Sequence, residues 1–183
     1  MNNIPANPSL DDIRVELTEI EQAIADQTYV PGRWQRLLRS LHQLEKSTLN
    51  PLSGEISKVS DALHGRNGFL SLGFWPVFIA ELAALTLAIS LSSSESLILR
   101  IISTGLFALT LQPLLKIAAG LILGVRYSYA YLWYFEPRFK MQYGTYITRA
   151  PWQRMILHLI GSVGTVLAMY IGMQLLADNT IFY

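Results

Sequence analysis

The sequence contains no cysteine in its 183 residues and only three histidines. The absence of cysteine excludes disulfide bonds, thiolate zinc sites, iron–sulfur ligation and cysteine nucleophiles. The histidines, at positions 42, 64 and 158, do not have the His-x-x-His or His-Glu-x-x-His spacing of metal-binding helices. We therefore predict no metal site and no cofactor.

Motifs of common enzymes are also missing. The chain has no Gly-x-x-x-x-Gly-Lys loop for nucleotide phosphates and no Gly-x-Ser-x-Gly elbow for a serine nucleophile. Residues 1–66 carry seven Lys and Arg against nine Asp and Glu, so the basic surface typical of nucleic-acid binding is absent there. The first twelve residues lack the basic and apolar regions of a signal peptide. We expect no catalytic residue and no nucleic-acid partner, and a non-enzymatic role is favoured.

Acidic residues become scarce after Arg66. Only four of the 13 acids follow it, namely Glu81, Glu95, Glu136 and Asp178. The whole chain is 51% hydrophobic and 15% charged, whereas soluble domains are about 25% charged. The sequence therefore predicts a water-facing module over residues 1–66, a glycine-rich hinge over 67–73 and a membrane domain over 74–183.

Apolar residues of the N-terminal module recur at steps of three and four, the spacing of amphipathic helices. The three stripes comprise Leu10, Ile13, Leu17, Ile20 and Ile24, then Trp34, Leu37, Leu38, Leu41 and Leu44, then Leu52, Ile56, Val59 and Leu63. Ser9 and Asp12 form a variant of the capping box at the start of the first helix. Two interpretations remain open: a hairpin or coiled-coil-like bundle that docks on another protein, and a self-contained helical mini-domain.

Three apolar stretches, at residues 74–91, 97–125 and 155–177, are long enough to cross a hydrocarbon slab of about 30 Å. Lys and Arg are concentrated before the first stretch and between the second and third. This distribution predicts a cytoplasmic N-terminus and a C-terminus on the opposite side. A fourth half-span within 127–150 would reverse the C-terminus.

Small residues recur at four-residue spacing in each span. The predicted helix-packing positions are Ala80, Ala84 and Ala88, then Gly120 and Gly124, then Gly164, Ala168 and Gly172. Such positions let helix backbones approach closely where lipid supplies no hydrophobic drive for association. They predict either a tight internal bundle or docking to further membrane helices.

Polar side chains inside the spans are costly in lipid and are therefore candidate functional groups. Glu81 lies in the first span, and Gln112 and Lys116 lie in the second. Residue depths place Glu81 and Lys116 one or two helical turns apart, so an ion pair requires a kink at Pro113 or a bridging water. A hydrogen bond from Glu81 to a hydroxyl such as that of Thr110 is the alternative. His158 is expected to face the bundle together with Ser162 and Thr165, which follow it at four and seven residues.

The segment over residues 126–154 holds ten of the 20 aromatic residues, interleaved with basic ones. Tyr and Trp concentrate at the lipid headgroup level, so the segment is predicted to be an interfacial helix-turn-helix, with its turn at Glu136-Pro137, or a re-entrant segment. It is interpreted either as an anchoring belt or as a site for an amphipathic molecule. The candidate ligand-binding residues are Lys116, Arg126, Trp133, Glu136, Arg138, Lys140, Tyr143 and His158.

The predicted fold class is all-α: an integral membrane protein with three transmembrane helices, an interfacial aromatic helical segment and an N-terminal cytosolic helical hairpin or bundle. Its expected partners are membrane lipids and either other membrane subunits or further copies of the chain. The first functional hypothesis is a subunit, scaffold or assembly factor of a membrane complex. The alternatives are binding or modification of a lipid, quinone or carotenoid at the aromatic segment, and proton or ion passage in an oligomer through Glu81.

Overall fold

The structure is a computed structural model that describes residues 9–134 and 136–177. The chain divides into two compact units. The first unit, called here the helical unit, runs to Phe69 and includes Met141–Ala150. The second, called the long-helix unit, contains Leu70–Lys140 and the chain from Pro151 onward. In chain order the elements are α1 (Leu10–Ala25), α2 (Arg33–Gln43), α3 (Lys46–Leu49), a 3₁₀ turn (Asn50–Leu52), α4 (Ser53–Gly65), β1 (Ser71–Gly73), α5 (Phe74–Ser92), α6 (Leu97–Ile122), β2 (Tyr127–Trp133), β3 (Glu136–Met141), α7 (Tyr143–Ile147) and α8 (Pro151–Ala177).

Helix α1 begins with the predicted capping box, which is confirmed. The Asp12 N–H donates to Ser9 Oγ at 3.2 Å, and the Ser9 N–H donates to the Asp12 carboxylate at 2.9 Å. These two bonds satisfy backbone donors that have no partner inside the helix. The Ser9 hydroxyl also donates to this carboxylate, at 2.7 Å, and holds the pKa of Asp12 below its ordinary value.

The helical unit has one hydrophobic core, built from the periodic apolar positions of α1, α2 and α4. Its buried residues are Ile13, Leu17, Ile20, Leu37, Leu41, Leu49, Leu52, Ile56, Val59 and Ile147. Burying each such aliphatic side chain stabilises a fold by about 1.5–3 kcal/mol. Ile147 comes from α7, which begins 78 residues after the end of α4, the helix that it covers.

Helix α7 packs on α4 through Gly144. The Gly144 N–H donates to Ser57 Oγ at 3.0 Å. An added Cβ at Gly144 would collide with the Ser53 backbone, with 2.7 Å to its Cα. The segment Met141–Ala150 therefore belongs to the helical unit.

The long-helix unit contains three helices that are long and apolar enough to cross a membrane: α5, α6 and α8. Helix α6 packs against both α5 and α8. The expected bounds of α5 agree within one residue, whereas α8 starts at Pro151, four residues before the expected position. Proline suits a helix start, because the N–H that it lacks would have no partner there.

Gly124 ends α6, and its predicted role in helix packing is wrong. Its φ of +76° lies in the left-handed region, and its side of the helix is exposed. The Val125 N–H bonds the Gly120 carbonyl at 2.7 Å and the Gly124 N–H bonds the Leu121 carbonyl at 3.0 Å. These two bonds form a Schellman motif, which terminates the helix before the predicted residue 125.

The chain is mostly helical, as the predicted all-α class requires, but the predicted helix-turn-helix over residues 126–154 is wrong. Residues 127–141 form strands β2 and β3, and β1 pairs antiparallel with β2 in a three-stranded sheet. Bulky aromatics at every second position of β2 favour a pleated strand over a helix. Residue Tyr134, with φ +56°, follows β2, whereas Glu136 and Pro137 lie within β3. Pro137 is tolerated because β3 is an edge strand.

Candidate functional site

Five aromatic rings contact one another between the start of α5 and the hairpin of β2 and β3. This aromatic cluster comprises Phe74, Trp75, Phe78, Tyr127 and Phe139. Phe74 stacks on Tyr127 with ring centroids 5.7 Å apart, and its edge-to-face contact with Phe139 has the same separation. The cluster therefore joins the first long helix to the hairpin of β2 and β3.

Tyr127 also fastens the hairpin to α6. Its hydroxyl donates to the Lys116 carbonyl at 2.9 Å, and its ring lies on Gly120. An added Cβ at Gly120 would overlap the phenol, with 3.0 Å to its Cζ. Burial raises the pKa of Tyr127 above its ordinary value, so the hydroxyl remains a donor. Gly120 was predicted to pack against a helix, but its contact is with this strand residue.

The predicted ligand-binding cations Lys116 and Arg138 lie on α6 and β3. The Lys116 side chain extends from α6 toward α8, where its Cδ lies 3.7 Å from the position of a Cβ added at Gly161. Arg138 lies on β3, where its guanidinium pairs with the Glu136 carboxylate. No described contact joins the Arg138 and Lys116 side chains, so the predicted grouping of these two residues stays a prediction.

Trp133, Glu136 and Arg138 form one local group at the end of the hairpin. The Arg138 guanidinium lies 5.2 Å from the centre of the Trp133 ring. Its Nε and Nη2 both donate to Glu136 Oε2, at 3.2 and 2.9 Å. The aromatic face and the carboxylate together fix the orientation of the guanidinium.

The other candidate ligand residues are dispersed. Arg126 is exposed, and Lys140 is half-buried at the end of β3. Tyr143 belongs to the helical unit, where its ring packs against Trp34 at 6.1 Å. Its assignment to the basic and aromatic site is therefore corrected to packing against the core of the helical unit.

Glu81 is buried on α5, with 6% of its surface exposed. Ser103 Oγ donates to the Ala88 carbonyl at 2.7 Å, which fixes the register of α5 against α6. Glu81 lies seven residues before Ala88 in α5, and Thr110 lies seven residues after Ser103 in α6. The two residues therefore lie at the same level along the helices. The Thr110 hydroxyl, however, donates to the Leu106 carbonyl at 2.8 Å.

The structure forms neither of the predicted Glu81 pairings within the part of the chain that it describes. No ion pair joins Glu81 to Lys116, and Glu81 Oε2 is buried without a hydrogen-bond partner. Buried polar atoms are normally hydrogen-bonded, and those that are not often have a functional role. Among the described residues of α5, α6 and α8, Glu81 is thus the one whose buried side-chain oxygen lacks a hydrogen-bond partner.

Small residues of α8 form its seam with α6. An added Cβ at Gly164 would lie 2.7 Å from the Gln112 Cα, and one at Gly172 would lie 2.6 Å from Thr104 Cγ2. Ala168, between them, is buried. Gln112 therefore contributes its backbone to helix packing.

The small residues predicted on α5 differ in exposure. Ala88 is buried, Ala84 is half-buried and Ala80 is exposed. The Ser103 hydroxyl of α6 donates to the Ala88 carbonyl. Of the three predicted packing positions on α5, Ala88 therefore lies in the close contact with α6. Ala80 faces outward from the unit.

A polar flank of α8 faces outward. His158, Ser162, Thr165, Met169 and Met173 are all exposed, at steps of four, three, four and four residues. The expectation that His158 and its neighbours face the bundle is wrong, because Gly161, Gly164 and Ala168 occupy the side that meets α6. We call this exposed set the α8 flank.

Sequence reasoning missed Phe74, Phe78 and Tyr127 as residues of the site. The signal that could have found Tyr127 is the alternation of aromatics in β2, which places every second ring on one face of a strand. The contacts of Phe74 had no such signal, since residue 74 lies 53 positions before Tyr127.

The residues around the hairpin can bind and orient a ligand, because they combine cations with aromatic faces. Within residues 9–134 and 136–177, no three His, Asp or Glu side chains are grouped to hold a metal ion. Comparison of the chain with protein-family models, with characterised proteins and with solved structures gave no match.

Proposed function

We propose that this chain is a non-enzymatic integral membrane subunit or scaffold that associates with another membrane helix through the α8 flank. The observation that carries the proposal is the outward position of His158, Ser162 and Thr165 on a helix long and apolar enough to span a bilayer. Polar side chains in spans are costly toward lipid and usually face protein or water. A neighbouring helix would keep these side chains away from lipid.

The chemistry of the flank suits helix association. Hydroxyl and imidazole groups bond across membrane helices, at about 0.6–2 kcal/mol for each bond. Met169 and Met173 extend the same line and adapt easily to the shape of a partner. The glycines of α8 pack against α6, on a different side of the helix from the flank, so the flank stays available to another helix.

The helical unit offers a second surface for an assembly. Helix α2 carries no acidic residue, and Arg36 and Arg39 are exposed on the side opposite the buried Leu37 and Leu41. Neither arginine forms an ion pair with the described residues. This face suits an acidic region of the same complex.

The test compares particle size after extraction from the native membrane in mild detergent. We expect the chain in a particle larger than a monomer, and Ser162→Leu combined with Thr165→Leu should reduce its share roughly tenfold, because two interhelical hydrogen bonds are lost. Val163→Leu, on an exposed apolar position of α8, is the matched control and should not change it. A wild-type chain that is monomeric and carries no partner would contradict the proposal.

A second candidate function is proton passage through an oligomer, with Glu81 as the relay. It is supported by the buried Glu81 Oε2, which has no hydrogen-bond partner in the described part of the chain. In liposomes containing the full chain, Glu81→Gln should reduce proton flux to the level of protein-free vesicles. Glu95→Gln removes the same charge at the exposed connection between α5 and α6, and should leave the flux unchanged. Equal flux in the wild type and Glu81→Gln would eliminate the relay.

A further inference from the structure

Glu81 places a carboxyl group in the middle of the contact between α5 and α6. Of the residues of α5, Glu81 and Ala88 are the two that are buried, and they lie two helical turns apart on one face. Helix α5 packs mainly on α6, so α6 covers this face. The bond from Ser103 to the Ala88 carbonyl fixes the register of the two helices and places Thr110 at the level of Glu81.

The part of α6 at this level offers apolar side chains and hydrogen-bond acceptors. Phe107, Thr110 and Leu114 are its buried residues there. The Thr110 hydroxyl donates its proton to the Leu106 carbonyl at 2.8 Å, so it presents an oxygen lone pair to any other neighbour. Among the described residues, Glu81 Oε2 has no hydrogen-bond partner, and no basic side chain lies within 4.0 Å of the Glu81 carboxyl group.

Pro113 adds a backbone acceptor to the same part of α6. It lies inside the helix and has no N–H, so the Leu109 carbonyl lacks the donor that residue 113 supplies in other helices. Leu109 directly precedes Thr110, so this carbonyl lies within one turn of the level of Glu81. Backbone carbonyls released from helix hydrogen bonds coordinate Na⁺ in membrane transporters.

The charge of these groups suits a monovalent cation. A buried carboxylate requires a positive counter-charge, and one carboxylate balances one monovalent ion. A divalent ion usually takes several carboxylates, and no three His, Asp or Glu side chains of the described residues are grouped to hold one. The sequence predicted no metal site from the absence of His and Cys motifs, but such motifs do not describe the oxygen ligands of an alkali cation.

We propose that Glu81 binds a monovalent cation between α5 and α6, with the Thr110 hydroxyl and the Leu109 carbonyl as further ligands. The cation supplies the counter-charge of the Glu81 carboxylate, and the protein oxygens replace part of the water that the ion loses. Binding requires no transfer of the ion across a membrane. The site can therefore be tested separately from the proton relay and from the α8 flank.

The test uses the full chain in mild detergent, with sodium chloride as the probe and dicyclohexylcarbodiimide as the reporter of the free carboxyl group. This apolar reagent attaches to a protonated carboxyl group, and a bound cation displaces that proton. At constant pH, we expect saturating sodium to slow the labelling of Glu81 about tenfold relative to N-methylglucamine chloride, as read by peptide mass spectrometry. Equal labelling rates in the two salts would overturn the proposal, whether or not proton flux depends on Glu81.

Thr110→Val removes one oxygen ligand and keeps the shape of the side chain. We expect it to raise the sodium concentration that halves the labelling rate by about tenfold, whereas Thr110→Ser should behave as the wild type. Thr86→Val is the matched control, because the Thr86 hydroxyl makes the same bond to a carbonyl four residues earlier, at an exposed position of α5. Equal sodium responses of Thr110→Val and Thr86→Val contradict the site as proposed.

Thermal unfolding reports binding without chemical labelling. Sodium should raise the midpoint of the wild type by about 5 °C, because a ligand of the folded state stabilises that state. It should not raise the midpoint of Glu81→Gln, which keeps the shape of the side chain but has no charge. Circular dichroism must show the helical content of the wild type for each variant. An equal shift in the wild type and Glu81→Gln means that sodium acts elsewhere and overturns the proposal.

Discussion

Gly144→Ala is expected to release α7 from α4 and to destabilise the helical unit by about 3 kcal/mol, at the upper end of the usual cost of overpacking. The added methyl group would overlap the Ser53 carbonyl group and lie 2.7 Å from its Cα. Backbone atoms inside a helix cannot rotate away as a side chain would. Withdrawal of α7 would also expose Ile147 and leave the Ser57 hydroxyl without the Gly144 N–H.

The measurement is hydrogen exchange of the α4 amides in the full chain, read by mass spectrometry. Gly144→Ala should lower their protection, because exchange then occurs through a more populated open state. Gly54→Ala is the matched control in α4, since nothing lies within 4 Å of its added Cβ. Ser57→Ala should have a smaller effect in the same direction, because it removes the two hydrogen bonds of the hydroxyl, with the Gly144 N–H and the Ser53 carbonyl, but introduces no overlap. Equal protection in Gly144→Ala and Gly54→Ala would show that the contact is not structural.

Gly164→Ala is expected to separate α8 from α6 and to lower the melting temperature by about 5 °C or more. Its Cβ would lie 2.7 Å from the Gln112 Cα and 3.2 Å from the Leu111 carbonyl oxygen. The cost of such overpacking is about 1–3 kcal/mol, and 1 kcal/mol shifts the midpoint of a chain of this size by about 2–4 °C. In lipid or detergent, no hydrophobic gain between helices offsets the lost contact.

The measurement is thermal unfolding in detergent micelles, followed by circular dichroism. Gly161→Ala provides the control three residues earlier on the same helix, because its Cβ would make an ordinary contact of 3.7 Å with the Lys116 stem. It should be neutral or slightly stabilising, since alanine is the better helix former. If both substitutions shift the midpoint equally, helix propensity and not the seam determines the result.

Local patterns predicted the elements whose determinants lie close together in the chain. The capping box of Ser9 and Asp12 requires only two residues and one helix turn, and it forms as expected. The three long apolar helices follow from composition over about 20 residues, because length and apolarity alone suffice to identify them.

The hairpin shows how local information was misread. The basic and aromatic composition of residues 126–154 suggested an interfacial helix, whereas the alternation of Tyr127, Tyr129 and Tyr131 is that of a strand. Pairing of β2 with Ser71–Gly73, in the predicted hinge, adds a partner more than 50 residues away. Neighbouring residues alone do not show such a partner.

The sequence by itself determined where the chain is apolar enough to span a bilayer, where its first helix starts and which positions of α1, α2 and α4 pack in a core, except for Leu10, which is exposed. Only the tertiary structure decided that Gly144 meets α4, that Tyr127 covers Gly120, and that Gly164 meets Gln112. The physical reason is distance along the chain. Periodicity and capping are encoded within a few turns, whereas these contacts depend on which distant backbones approach closely enough for a glycine to be required.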